Sequence, residues 1–341
     1  MILVFFCGNF ISHTFINTQL LYTTLKIAAK LAFLLYCRTI RINDKKYLSA
    51  EGPLLIASNH PNSFLDAIII ATLFKKPVYS LTRGDMYKNK FFARILLSLK
   101  MLPVYRISEG AENMDQNYKT FDKCKDIFKK NGIVLIFSEG LCINEWQLRP
   151  LKKGTARLAI SSWQDGIGLK ILPVGINYQA FQIFGKNIEI NFGDIINEED
   201  IDHTNGYGKT ISDFNEKLKD KLHPLVAQIE KNNKQEISAR FYAKQGWIKK
   251  ILLFIPALFG WLFHVLLYNS VKYYTWKKAG HTGHYDSIII AMLFGFYPFY
   301  LLGFAIWVSF LKPGPWWICV FFILPFCAWS YLQLKRQFKK Y

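Results

Sequence analysis

The sequence predicts an α/β domain bounded on both sides by membrane-associated segments. Three observations carry this. From about residue 40 to 245, short apolar runs alternate with helical stretches, the pattern of strands buried in a sheet between helices. Near the C-terminus two apolar runs are long enough to cross a bilayer. The chain as a whole is 51% hydrophobic and yet carries a formal charge of +19.

Residues 1–40 read as an N-terminal apolar and amphipathic segment. The first 19 lack a basic start and an A-x-A-like cleavage site, so a secretory signal is not expected. Residues 20–37 place Lys26 and Lys30 four apart among Leu and Ala. That is the pattern of an amphipathic membrane helix lying on or dipping into a bilayer. The alternative is a surface helix of the globular domain, half-buried against its core.

The domain spans 41–245. Strands are expected at 53–58, 77–82, 132–137, 169–177 and 187–193. Helices fit 63–74, 85–100, 113–130 and 154–164. A charged amphipathic helix over 210–235 is interrupted at Pro224.

The membrane region spans 246–341. Residues 287–311 and 315–334 are apolar runs separated by Lys312-Pro313-Gly314, which predicts a transmembrane hairpin. Lys277 and Lys278 precede it, and Lys335, Arg336, Lys339 and Lys340 follow. The positive-inside rule therefore puts both its ends in the cytoplasm. Residues 251–268 are also apolar but are interrupted by Pro256, Gly260 and His264. Lysines flank this stretch on both sides, so a crossing would place Lys272, Lys277 and Lys278 outside. It is therefore expected to be re-entrant or interfacial.

Forty-three Lys and Arg against 24 Asp and Glu, in a chain this apolar, indicate a partner that is both anionic and greasy. A phospholipid surface fits that description. Nucleic acid is not expected, because no zinc-finger, RNP or helix-turn-helix pattern accompanies the charge. The six cysteines include no C-x-x-C pair, which argues against a disulfide framework or a zinc site.

The stretch most informative about chemistry is 53–74. A buried strand runs into Asn59-His60, a short turn, and a helix starting near Ser63. His60 thus falls at a strand end, where ligands bind in α/β sheets, and Asp66 falls in the first turn of the next helix. Imidazole is the natural general base near neutral pH, and a carboxylate on its second nitrogen fixes the tautomer. The competing reading has Asp66 capping the helix, since Ser63-Phe64-Leu65-Asp66 has capping-box spacing, with His60 as a local turn residue.

Three further blocks follow in order: Leu102-Pro103-Val104-Tyr105-Arg106, Phe137-Ser138-Glu139-Gly140, and Ile171-Leu172-Pro173-Val174. Together with the His60/Asp66 block, these resemble the glycerolipid acyltransferase superfamily, which includes glycerol-3-phosphate and lysophosphatidate acyltransferases. The resemblance implies a single acyltransferase-type domain with a central mixed sheet flanked by helices. It further implies His60 and Asp66 as the catalytic pair, Arg106 as an acceptor-phosphate ligand, and Glu139 and Gly140 beside the acceptor pocket. The chain departs from the pattern twice. Five residues, not four, separate His60 from Asp66, which resembles the glycerol-3-phosphate/dihydroxyacetone-phosphate branch. Leu141-Cys142 stand where the family has Thr-Arg, so that phosphate-binding Arg is missing. Lys153 and Arg157, around Gly154 at a helix start, are candidate replacements, as is Arg83 after the second strand. The alternative for Lys153 and Arg157 is a solvated basic face.

The expected reaction is transfer of an acyl group from acyl-CoA or acyl-carrier protein to a glycerol-phosphate or lysolipid hydroxyl, with no metal and no further cofactor. The expected setting is the cytoplasmic face of a bacterial inner membrane or, by analogy, of the endoplasmic reticulum. Three alternatives stand beside this. One is an acyltransferase for a non-phosphate lysolipid. Another is a membrane thioesterase or hydrolase, although no G-x-S-x-G elbow is present. The third is an inactive membrane scaffold. His281, His284 and Asp286, just before the hairpin, read as an interfacial loop rather than a metal site.

Overall fold

The computed structural model describes residues 18–105, 114–204 and 206–338. The apolar stretch before residue 18 and the candidate Arg106 lie outside the described residues.

The domain is a seven-stranded mixed sheet between two layers of helices. In chain order the strands are β1 (Cys37–Ile42), β2 (Leu54–Ser58), β3 (Val78–Arg83), β4 (Met101–Val104), β5 (Ile133–Phe137), β6 (Lys170–Tyr178) and β7 (Lys186–Phe192). Their order across the sheet is β1-β7-β6-β2-β5-β3-β4. Every neighbouring pair is parallel except β6 and β7. The five expected strands are present. Two more were not read from sequence: β1, which is short and polar, and β4, whose four residues sit inside the Leu102–Arg106 block.

β2 and β5 are buried on both faces because helices cover both sides of a parallel sheet. Alternate residues enter different cores. Leu54 and Ile56 pack with α1 (Thr18–Tyr36) and α2 (Phe64–Leu73). Leu55 and Ala57 pack with α4 (Met114–Lys129), α5 (Lys153–Gln164) and α6 (Tyr207–Leu222) on the other side. A further helix, α3 (Lys90–Ser98), joins β3 to β4. The helix expected over 210–235 ends at Leu222, two residues before Pro224, and α7 (Lys234–Phe241) follows separately.

The helix over residues 20–37 is half-buried against the domain, with an apolar face left bare on the other side. Tyr22, Phe33 and Tyr36 of α1 enter the core, while Leu20, Ile27, Leu31 and Leu34 lie bare on the opposite face. Lys26 does not face outward. Its ammonium donates to the carbonyls of Phe74 (2.5 Å) and Lys75 (3.3 Å) at the C-terminal end of α2, where the helix dipole favours a cation.

Three helices of the tail are long and apolar enough to cross a membrane: α8 (Trp247–Ala279), α9 (Tyr285–Leu311) and the segment Pro315–Leu334, which contains α10 (Val320–Leu334). Most of their surface is bare and apolar; Phe310, for example, is 82% exposed. Such a surface on a water-soluble protein would aggregate, and in lipid it is the solvated state. The expected hairpin 287–311 and 315–334 corresponds to α9 and Pro315–Leu334, with the turn at Gly314 (φ 114°).

In place of a re-entrant turn within 251–268, the structure has one unbroken helix, α8, of 33 residues. Two of the three residues that looked like interruptions, Gly260 and His264, are packing devices. Gly260 lets α10 approach so closely that a Cβ there would overlap the Cys327 carbonyl. His264 bonds inside the bundle, to the Gly260 carbonyl and the Tyr297 hydroxyl. The later part of α8 lies against the α/β domain. Val271 is in its core, and the Gly280 carbonyl just beyond the helix accepts from Gln182 Nε2 (3.0 Å).

Candidate active site

The site forms at the C-terminal edge of β2 and β5. Asn59 ties the end of β2 to β6. Its amide donates to the Ile176 carbonyl (3.0 Å) and accepts from the Ile176 N–H (2.8 Å). The chain then leaves the sheet, and His60 begins the loop into α2.

His60 Nδ1 lies 2.8 Å from Asp66 Oδ2. Asp66 is fully buried, while the His60 side chain keeps 18% of its surface open. A carboxylate only accepts, so Nδ1 carries the proton and Nε2 presents its lone pair. Nε2 bonds to no described residue. The imidazole stacks on the Phe137 ring at 3.8 Å between centroids, which fixes the ring plane. Asp66 also accepts from the Asn62 N–H at Oδ2 (2.7 Å) and from the Tyr178 hydroxyl at Oδ1 (2.6 Å). Three donors thus hold a buried carboxylate in one orientation.

The helix-cap reading of Asp66 does not describe this geometry. The Ser63 N–H points to Cys142 Sγ (2.8 Å), and Ser63 makes no side-chain cap bond. Asp66 is turned wholly toward the His60 loop and Tyr178.

Glu139 is a clamp between loops. Its carboxylate accepts the backbone N–H of His60 (2.9 Å) and of Arg149 (2.9 Å). Burial pushes its pKa up, and the two N–H donors oppose that shift. Gly140 must be glycine or close to it. Its φ is +68°, and a Cβ would stand 3.0 Å from Lys152 Cγ.

The candidate cations reach the same edge of the sheet without touching the pair. Arg83 ends β3 and is engaged by Asp85 (2.5 Å). Lys153 and Arg157 occupy the exposed face of the first turns of α5. Among the described residues neither has an ion-pair partner. A Cβ at Gly154 would meet nothing within 4 Å, so the helix start is open but does not require glycine.

Several residues of the site gave no motif signal. Tyr178 sits at the end of β6; Phe137 belongs to the third block, but nothing in its spacing marks it as a stacking partner of His60. Asn62 reads as a turn residue. Of His281, His284 and Asp286, the last two fold onto the site, with His284 on Ser63 and Asp286 buried beside Asn62, while His281 stays exposed. The one sequence signal for this was a carboxylate at the head of an apolar helix.

The family model for "Acyltransferase" matches residues 39–177, which bear the four blocks named above and the whole His60 loop. That stretch is an acyltransferase-family domain, as the resemblance implied. Among solved structures, the 1-acyl-sn-glycerophosphate (LPA) acyltransferase PlsC from Thermotoga maritima is similar, with 11% identity and a TM-score of 0.44 over 67% of this chain and 89% of that one. No curated protein matches the chain by sequence.

Proposed function

We propose that this chain uses its acyltransferase-family domain to move a fatty acyl group from an acyl thioester to a hydroxyl of glycerol-3-phosphate, dihydroxyacetone phosphate or 1-acylglycerol-3-phosphate. One observation carries this beyond the family: His60 Nδ1 is fixed on a buried, triply held Asp66, which leaves Nε2 as an open base at the sheet edge.

The acceptor hydroxyl lies against His60 Nε2. As its oxygen attacks the thioester carbonyl, the proton passes to Nε2 and the Asp66 carboxylate stabilises the imidazolium. A C–O bond forms and the C–S bond breaks. The departing thiolate takes the proton from the imidazolium, which restores the neutral base. Arg106, with Arg83, Lys153 or Arg157, binds the acceptor phosphate and so positions the hydroxyl. Glu139 and Gly140 shape the acceptor pocket by holding the His60 and Arg149 loops. The donor is acyl-CoA or acyl-carrier protein, and no metal enters the reaction. The tail holds the domain at the cytoplasmic face of the membrane, where an acylated product passes directly into the leaflet.

A second acceptor class has its own support. Leu141-Cys142 stand in place of the family's phosphate-binding Thr-Arg, and Cys142 Sγ is engaged by Ser63. A lysolipid without a free phosphomonoester would not need that Arg.

Membranes containing the full chain, given labelled acyl-CoA and each of the three phosphate acceptors in parallel, test the reading. We expect labelled lipid from at least one acceptor, lost in His60→Ala. Activity with none of the three, together with activity on a neutral lysolipid, would overturn the phosphate-acceptor reading.

A further inference from the structure

The loop between His60 and Asp66 is gripped by the membrane tail. Two of its side chains reach across to residues at the head of α9. Asn62 Nδ2 donates to Asp286 Oδ2 (2.8 Å), while the backbone N–H of the same residue donates to Asp66 Oδ2 (2.7 Å). Ser63 Oγ lies 2.6 Å from His284 Nδ1. The two residues of the loop that bear on the Asp66 geometry are therefore the two that the tail holds.

The loop cannot hold this shape by itself. Ser63 has φ 52° and ψ −139°, in a region that L residues avoid at a cost of about 1–3 kcal/mol. Such a conformation persists only where its surroundings enforce it. Here they are Cys142 Sγ on the Ser63 N–H and His284 on its hydroxyl.

Asp286 is built for this grip. It is 1% exposed, and besides Asn62 it takes the Tyr36 hydroxyl at Oδ1 (2.7 Å) and pairs with the fully buried Lys186. Replacing a buried ion pair of this kind by apolar residues of the same volume is often neutral or stabilising, so stability is a weak reason for its presence. The connector also lies close to the reacting group. Burial pushes the His284 pKa down, and the nearby Arg83 guanidinium adds to that shift.

We propose that Asp286 and His284 are positioning residues for acyl transfer: the head of α9 clamps Asn62 and Ser63, and so keeps His60 aligned on Asp66. The fifth residue of the loop supplies the extra reach that lets Asn62 and Ser63 meet the tail. The membrane tail is then a working part of the site as well as an anchor. This rests on the reading of His60 and Asp66 as the catalytic pair.

The test uses full-length protein in membranes, with kcat and KM measured for the acyl donor and the best acceptor. Asn62→Ala removes the side-chain tether but keeps the backbone N–H to Asp66. Asp286→Leu combined with Lys186→Met removes the acceptor, and with it the tether, from the other side without leaving an unpaired buried charge. Each is expected to lower kcat about tenfold to a hundredfold with KM nearly unchanged, the scale of a modest misplacement of a reacting group. Combining them should lose no more than the larger single effect, because both cut one contact. Losses that multiply, or that fall on KM, would overturn the proposal, as would full activity in both variants while His60→Ala is inactive. Full activity in His60→Ala would instead overturn the catalytic pair itself, so the two failures are distinguishable.

Discussion

Replacing Asp66 by Asn separates the charge of the buried carboxylate from its shape. Two donors converge on Oδ2, the His60 ring N–H and the Asn62 N–H, and one on Oδ1, the Tyr178 hydroxyl. The amide oxygen of the variant therefore takes the Oδ2 position. Its NH2 faces Tyr178, whose hydroxyl rotates to accept. The His60 ring keeps its tautomer and its place on Phe137, and only the counter-charge to the imidazolium is lost. At a charge separation of ~4 Å and an effective dielectric of ~20, that attraction is about 4 kcal/mol. His60 is mostly buried, so solvent screens little of it. At ~1.4 kcal/mol per factor of ten, kcat should fall about a thousandfold. The acceptor does not touch Asp66, so KM should hold. The assay is labelled acyl transfer in membranes, normalised to the amount of folded chain by its melting transition in detergent. A loss of less than about tenfold would refute the reasoning, because Asp66 would then not be stabilising an imidazolium.

Tyr178→Phe strips Asp66 Oδ1 of its donor in a fully buried place and should destabilise the domain by about 2 kcal/mol, read as a lower melting temperature; an unchanged melt would contradict the contact. Gly140→Ala forces a Cβ onto a φ of +68° and toward Lys152, with an expected cost of about 1–2 kcal/mol in the same measurement. Glu139 has a folded pKa raised above its ordinary value of 4.5, so its contribution to stability is complete below pH 4.5 and is lost as pH rises through the folded value. Glu139→Gln should flatten that fall while lying lower throughout, since its NH2 cannot accept a backbone N–H, and parallel melting curves from pH 4 to pH 7 would contradict this. Lys153→Ala with Arg157→Ala should raise the acceptor KM about tenfold and spare kcat; unchanged acceptor kinetics would mean a solvated basic face.

Much of the architecture was legible because strand and helix periods differ. Leu54 to Ser58 and Ile133 to Phe137 are continuous apolar runs too short for helices and bounded by turns. β1 was missed because Arg38, Thr39 and Arg41 break any apolar pattern: the strand pairs only with β7, at the edge of the sheet. The unbroken helix over 251–268, against the re-entrant option, has a similar cause. Proline, glycine and histidine mark breaks in a helix exposed to water. Between packed helices, Gly260 marks close approach and His264 internal hydrogen bonding.

The sequence alone determined the α/β domain, the apolar tail, and His60 at a strand end with Asp66 one helical turn beyond the loop, because these depend on local periodicity and short spacing. It also held the fifth loop residue in plain view, without its purpose. Only the tertiary structure decided that Asp66 serves His60 rather than the helix end, since that turns on where the Ser63 N–H points and on Tyr178, 112 residues away. Only there, too, does Asp286 meet Asn62 across 224 residues of chain. Contacts of that range leave no period in the sequence. They follow from which strand ends and which helix start the sheet brings to one edge.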